Sequence, residues 1–277
     1  MGLALRERVP PGWTVVACDR SELDVTSADE VRRVVESVRP TLVFHAAAYT
    51  AVDAAESEAG RAEAVNVGGT MHVAEAVRRH GARLVHLSTD FVFDGSSGHP
   101  YAPDGRPAPL GVYGRTKLAA EQAALGLGER AAVVRTAWVY SRHGKNFVRT
   151  MLRLMREQDG VGVVSDQVGT PTWARSLAEA LWAVAGRADL HGVLHWTDAG
   201  VASWYDFAVA IQEEARAAGL LERAVPVRPL SSREYPTAAR RPAYSVLSKR
   251  ESWAALGLTP PHWRVNLRLM LQELARG

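Results

Sequence analysis

Residues 83–89 read RLVHLST, a run apolar in both side-chain directions that closes on two hydroxyl residues. A strand with one wet face alternates apolar and polar side chains, and a strand buried on both faces does not. The segment therefore predicts a strand inside a parallel sheet. TLVFHAAA (41–48) and AAVVRTAWVY (131–140) have the same character. Helical patterns lie between them. Ser27 with Glu30 forms a predicted capping box ahead of ADEVRRVVESV, which stops before Pro40. Residues 59–79 carry apolar positions at helical spacing and end at Gly81, a predicted C-terminal cap. Strand and helix in alternation predict a Rossmann-like, doubly wound α/β fold with a parallel sheet.

Upstream, Trp13 to Cys18 in GWTVVACDR reads as another short buried strand, with Asp19 where an acidic side chain commonly meets a cofactor ribose. A helix-like LALRERV precedes it, and Pro10, Pro11 and Gly12 turn the chain. In a dinucleotide-binding unit such a helix itself follows a strand and a glycine-rich turn. Only Met1 and Gly2 precede it here, so the first strand and its turn are expected to be absent and the natural protein to begin upstream of Met1. Losing about five buried apolar side chains would cost on the order of 10 kcal/mol, and the backbone amides that hold a pyrophosphate would go too.

Downstream of residue 145 the rhythm loosens. A helix over NFVRTMLRLMRE is followed by a short strand, the loop DQVGTPT, a helix near 173–185 and a last strand in HGVLHWT (191–197). The remainder, with Pro226, Pro229, Pro236, Pro242, Pro260 and Pro261, reads as a small irregular lobe. The expected organisation is a dinucleotide-binding core over 1–145, continued by about 170–200, and a substrate-binding lobe from 146–169 and 201–277.

Of the 277 residues, 47% are hydrophobic and 23% charged, an ordinary balance for a globular protein. The net charge of +3 comes from both signs mixed along the helices, with no basic run of the kind that tracks nucleic acid. The single cysteine, Cys18, excludes an internal disulfide and is expected as a buried structural thiol in a reducing cytosol. No apolar run reaches membrane-spanning length. A soluble cytoplasmic protein with neither nucleic-acid nor membrane partners is expected.

The chemistry-bearing stretch is YGRTK, Tyr113 to Lys117. Residues four apart share a helix face, so the ammonium can sit beside the phenol. Lowering a phenol by roughly 3 pKa units takes about 4 kcal/mol, and a positive charge about 4 Å away supplies that at an intermediate dielectric. The pair is competent as a tuned proton donor. It follows Ser88-Thr89-Asp90 at the carboxyl edge of a parallel strand, where such sheets bind ligands. Each element alone also fits a plainer role, a solvated helix face or a simple turn. His191 and His195 are four apart but fall on a strand-like stretch, which argues against a metal site there, and the remaining histidines have no metal-ligand spacing. The C-terminal tryptophans, Trp196, Trp204, Trp253 and Trp263, are expected to pack lobe against sheet.

Thr89, Tyr113 and Lys117 together resemble the catalytic triad of extended short-chain dehydrogenases/reductases. HAAAYTAVDAAESE (45–58), AVNVGGT (64–70), LSTDFVFDG (87–95), VYGRTKLAAE (112–121), RTAWVY (135–140), GKNF (144–147), DQVGTPT (166–172) and RRPAYSVLS (240–248) occur in order. That series resembles the dTDP-4-dehydrorhamnose reductase family over the whole chain. The resemblance implies reduction, by NADPH or NADH, of the C4 ketone of dTDP-4-dehydro-L-rhamnose, with Tyr113 as acid, Thr89 bonding the same oxygen, and Lys117 lowering the phenol and holding the cofactor ribose. It places the cofactor along Gly2, Asp24, Val25, Ala46, Ala47, Ala48 and Thr50, together with Tyr113 and Lys117. It places substrate against Thr89, Phe91, Trp138, Asn146 and Arg241. About a dozen residues that precede Gly2 in the family are absent here. Phe91 and Tyr244 depart from the family's frequent Tyr and Asn, and Asp19-Arg20 carries a mixed signal between NADH and NADPH. The family also implies a homodimer and an association with Mg²⁺, although no residues here mark a magnesium site. Two other readings remain: a non-catalytic Rossmann regulatory subunit, or a reductase or epimerase acting on another nucleotide sugar.

Overall fold

Along residues 131–134, alternate side chains belong to different cores. Ala131 and Val133 pack with Val31, Val35, Val73 and Val77, whereas Ala132 and Val134 pack with Leu177, Leu181 and Trp182. A two-residue period divides a strand between two faces, so helices cover this sheet on both sides, as its apolar composition requires.

The computed structural model describes all residues, 1–277. Helix α1 is Gly2–Arg6 and α2 is Ala28–Val38; β1 (Leu42–His45), α3 (Val52–Ser57) and α4 (Ala59–Glu63) follow. A π-helical turn at Ala64–Gly68 leads into α5 (Gly69–His80), then β2 (Arg83–Thr89), α6 (Val112–Leu125) and β3 (Ala131–Thr136). Next come β4 (Val139–Tyr140), α7 (Phe147–Glu157), β5 (Val161–Val164), β6 (Val168–Gly169), β7 (Thr172–Trp173) and α8 (Ala174–Ala185). The chain closes with β8 (Gly192–His195), β9 (Ala202–Ser203), α9 (Trp204–Ala217), β10 (Val227–Leu230), α10 (Arg250–Leu256) and α11 (Trp263–Arg276).

The main sheet has four strands in the order β1-β2-β3-β8, all parallel. Helices α1 and α8 cover one face and α2, α5 and α6 the other. A third core lies apart from the sheet, built from α7, α9, α11 and β5 around Phe207, Ile211, Leu267 and Met270. Helices α9 and α11, 14 residues each, belong to it, so the C-terminal region is more regular than its prolines suggest.

Five expectations are corrected. Trp13–Cys18 forms no strand, because no neighbouring strand offers it a hydrogen-bond ladder; Val15 and Val16 are exposed, and so is the Cys18 thiol expected to be buried. The predicted helix over 59–79 is interrupted at Ala64–Gly68, where the bonding widens to a π turn. The run 131–140 is two strands: Trp138 takes φ +47°, which ends β3 and turns β4 toward β7. The cap of α2 is one-sided. Ser27 Oγ accepts from Glu30 N at 3.3 Å, but the Glu30 carboxylate turns to Asp24 N at 3.0 Å. The helix over 69–80 does end on Gly81 in the left-handed conformation.

Candidate active site

Strand β2 ends at Thr89, whose hydroxyl oxygen accepts from Phe91 N at 3.2 Å and so turns the chain into a short 3₁₀ segment, Asp90–Val92. Helix α6 lies tight against that turn. A side chain at Gly114 would collide with the Phe91 carbonyl oxygen, so only glycine permits this approach. The approach brings the Tyr113 phenol beside the Thr89 hydroxyl, which itself donates to Asp90 Oδ1 at 3.1 Å. The Phe91 and Tyr113 rings meet edge to face at 5.5 Å. At the start of α6, a carboxylate oxygen of Glu56 accepts from Val112 N at 2.8 Å, a favourable charge for a helix N-terminus.

Lys117 is one turn along the same helix and is buried. Its Nζ donates to the Leu87 carbonyl at 2.7 Å and lies 3.3 Å from His86 Nε2. Burial lowers its pKa to about 8, opposed by the charge of Glu121. The phenol of Tyr113 moves the other way. Burial raises it to about 12, with the neighbouring Thr89 hydroxyl pulling down and the Asp90 charge pushing up. No lowering by Lys117 offsets that rise. At neutral pH Tyr113 is therefore a fully protonated donor. Buried Asp90 is raised to about 6 by desolvation, against the hydrogen bond its Oδ1 accepts from Thr89.

Beside this set lies a shallow cleft lined by Phe91, Trp138, Gln167, Trp204, Arg241 and Ser245, with Pro242. Trp138 stacks flat on Trp204, ring centroids 3.6 Å apart, and its edge fills the space above Gly169, where a side chain would come within 2.6 Å. Arg241 is held by Asp53 at 2.6 Å.

Thr89, Tyr113, Lys117, Phe91, Trp138 and Arg241 thus gather around one edge of the sheet. Asn146 does not line the cleft: its Nδ2 donates to Ser141 O and His143 O, and its Oδ1 accepts from Arg149 N to cap α7. Ala46–Ala48 and Thr50 form the loop leaving β1. Asp24 is tied to Thr26 N and Oγ1, and Val25 packs against Gly69 while its carbonyl meets His72. Gly2 opens α1. No group of three or more His, Cys, Asp or Glu side chains is arranged to hold a metal ion, so nothing supports the Mg²⁺ that the resemblance implied. No helix is long and apolar enough to cross a membrane.

The model of the family described as RmlD substrate binding domain matches residues 1–276. The chain belongs to this family. It is 46% identical over 266 residues to dTDP-4-dehydrorhamnose reductase of Mycobacterium tuberculosis, covering 94% of this chain and 85% of that one. It is 44% identical over 257 residues to dTDP-4-keto-6-deoxy-D-glucose reductase of Streptomyces niveus, covering 91% and 86%. Among solved structures it resembles dTDP-4-dehydrorhamnose reductase of Bacillus anthracis in complex with NADP, at TM-score 0.92 and 36% identity over 98% of this chain and 95% of that one.

In this RmlD-family chain, sequence reasoning missed the residues that hold the site together. Buried Asn66, in the π turn, accepts from Tyr49 N at 2.8 Å and donates to Thr116 Oγ1 at 2.9 Å, so it fastens the loop after β1 to α6. Its signal was present in AVNVGGT, since an asparagine in an apolar helix needs buried partners. Trp204 was expected as packing, and it is a wall of the cleft; no local pattern distinguishes the two.

Proposed function

We propose that this RmlD-family protein is an NADPH-dependent reductase that converts the C4 ketone of dTDP-4-dehydro-L-rhamnose to the alcohol of dTDP-L-rhamnose. The observation that carries the reading is the Thr89–Tyr113 hydroxyl pair at the carboxyl end of β2, beside an aromatic cleft and one helical turn from a buried ammonium. The donor set fits a nicotinamide dinucleotide. The loop Ala46–Ala48 offers small side chains for a planar ring to lie against, and Lys117 has a third N–H beyond those given to Leu87 and His86. Asp24 and Val25 are the residues for the adenine side, and NADP in the Bacillus anthracis relative supports the phosphorylated cofactor.

The bound cofactor supplies a hydride. Everything else falls to side chains of the protein. Thr89 orients the substrate's C4 oxygen by hydrogen bond, and Tyr113 gives its proton from Oη to that oxygen as it becomes an alkoxide. A phenol raised to about 12 keeps its proton until so strong a base appears. Lys117 gives the cofactor ribose a hydrogen bond, while Trp138 and Phe91 face the sugar with apolar surface and exclude water.

The test is an assay of the full chain with NADPH and dTDP-4-dehydro-L-rhamnose, following NADPH absorbance and the product sugar. Equal amounts of NADPH consumed and dTDP-L-rhamnose formed are expected. Tight NADPH binding without turnover on any 4-keto sugar would instead favour a regulatory subunit. The Streptomyces niveus relative favours a second reading, the same chemistry on another dTDP-linked 4-keto-6-deoxy sugar. The ratio of kcat/KM between the two sugars decides it. A cytoplasmic homodimer belongs to the same proposal, and sedimentation of the purified chain checks the assembly.

A further inference from the structure

Two buried imidazoles lie beneath the site, and the reduction does not use them. The β1–β2 register sets His45 opposite His86, with ring centroids 5.3 Å apart. Their hydrogen bonds fix their tautomers. The Thr70 hydroxyl donates to Asn66 O at 2.6 Å, so its oxygen accepts from His45 Nε2 at 3.2 Å, and His45 carries its proton on Nε2. His86 is the reverse. Its Nε2 faces Lys117 Nζ, and an ammonium only donates. Nε2 is therefore the acceptor, and the proton sits on Nδ1.

That Nδ1 has no hydrogen-bond partner, in a residue with 0% exposure. A buried N–H without a partner is a cost, and an apolar side chain at this position would avoid it. Turning the ring over would not: it would set Cε1–H, with no lone pair, against the ammonium. The one thing gained by a neutral imidazole here is a lone pair for Lys117.

Resting on the reading of Lys117 as a residue of the reductase site, we propose that His86 is a positioning residue: its Nε2 and the Leu87 carbonyl form a two-point seat that fixes the Lys117 ammonium and leaves its third N–H for the cofactor. The other titratable groups acting in this pocket are Glu121, on α6 itself, and His45, behind His86 on the sheet.

The sequence makes the test direct, because Lys117, Lys145 and Lys249 are its only lysines. In protein carrying ¹³C-labelled lysine, His86→Leu should lower the titration midpoint of Lys117 by about one pH unit, with Lys145 and Lys249 unmoved. His86→Gln, whose amide oxygen can accept, should restore it. In the assay His86→Leu should lower kcat about tenfold with the KM for the sugar nearly unchanged. In a Lys117→Met background the same change should cost nothing more. His86→Ile, which also lacks the acceptor, serves if His86→Leu does not fold. An unchanged Lys117 titration in a folded His86→Leu or His86→Ile protein overturns the proposal. A shifted titration in a protein that reduces no 4-keto sugar leaves the seat standing and removes the function reading.

Discussion

Tyr113 keeps its proton because its surroundings penalise the phenolate, whereas Lys117 is eased toward losing its own. These opposite shifts set the pH dependence of the reaction. Lys117 is charged below about 8, so the rate should be flat near neutrality and fall as pH rises through about 8, long before the phenol titrates. A pH profile of kcat checks this. Tyr113→Phe removes the acid and nothing else of size, and kcat should drop by about 10²–10⁴-fold with circular dichroism unchanged. The spacing of Tyr113 and Lys117 and the placement of Thr89 were legible in the sequence, because helix geometry and strand ends are local rules. The direction of the phenol's shift was not legible, since it is set mainly by how far folding desolvates the hydroxyl, and that depends on elements distant in the chain. Cys18 escaped for a related reason. An apolar run reads as buried until the neighbour it needs is sought, and none pairs with it.

At the scale of elements, α6 is fastened on three sides: Glu56 at its start, Asn66 through Thr116, and a buried ion pair between Glu121 and Arg135 of β3 at 2.8 Å. Arg135 also donates to Pro103 O at 3.1 Å and sits over the Phe93 ring. Removing one partner of a buried pair strands a charge. Arg135→Met should cost about 3–5 kcal/mol in urea denaturation, and adding Glu121→Leu should recover most of that loss. The three central strands were legible because two-faced apolar runs have few other fates. The π turn and the break at Trp138 were not, since both are imposed by packing: Asn66 reaching for Tyr49, and an indole closing over Gly169 onto Trp204.

Across the whole molecule, the join between the sheet and the α7–α9–α11 core includes an uncommon group. Asp198 is fully buried after β8, accepts from Trp173 N at 3.0 Å, and is raised to about 6 by desolvation. A carboxyl whose folded pKa exceeds its unfolded value of 3.8 favours folding while protonated, and that contribution is lost as pH rises from about 4 through about 6. The shift corresponds to about 3 kcal/mol. Asp198→Asn keeps an acceptor and cannot ionise, so its stability relative to the parent chain should rise across that window, as thermal melts at successive pH values would report. Glu214, by contrast, lies under Arg264 and Arg268, which hold it below the usual carboxylate range; its contribution is lost only at more acidic pH.

The clasp between Asp53 and Arg241 joins residues 188 positions apart. A ribosome making this chain completes β1, β2 and β3, and with them Thr89, Tyr113 and Lys117, well before Arg241 emerges. Nascent chains halted after α8 would therefore carry the reactive hydroxyls without a closed cleft around them. Because closing such a long loop is slow compared with local helix formation, refolding should regain helical circular dichroism before the Trp138–Trp204 stack recovers its fluorescence signature. Catalytic competence would then be the last property this protein acquires in its own biogenesis.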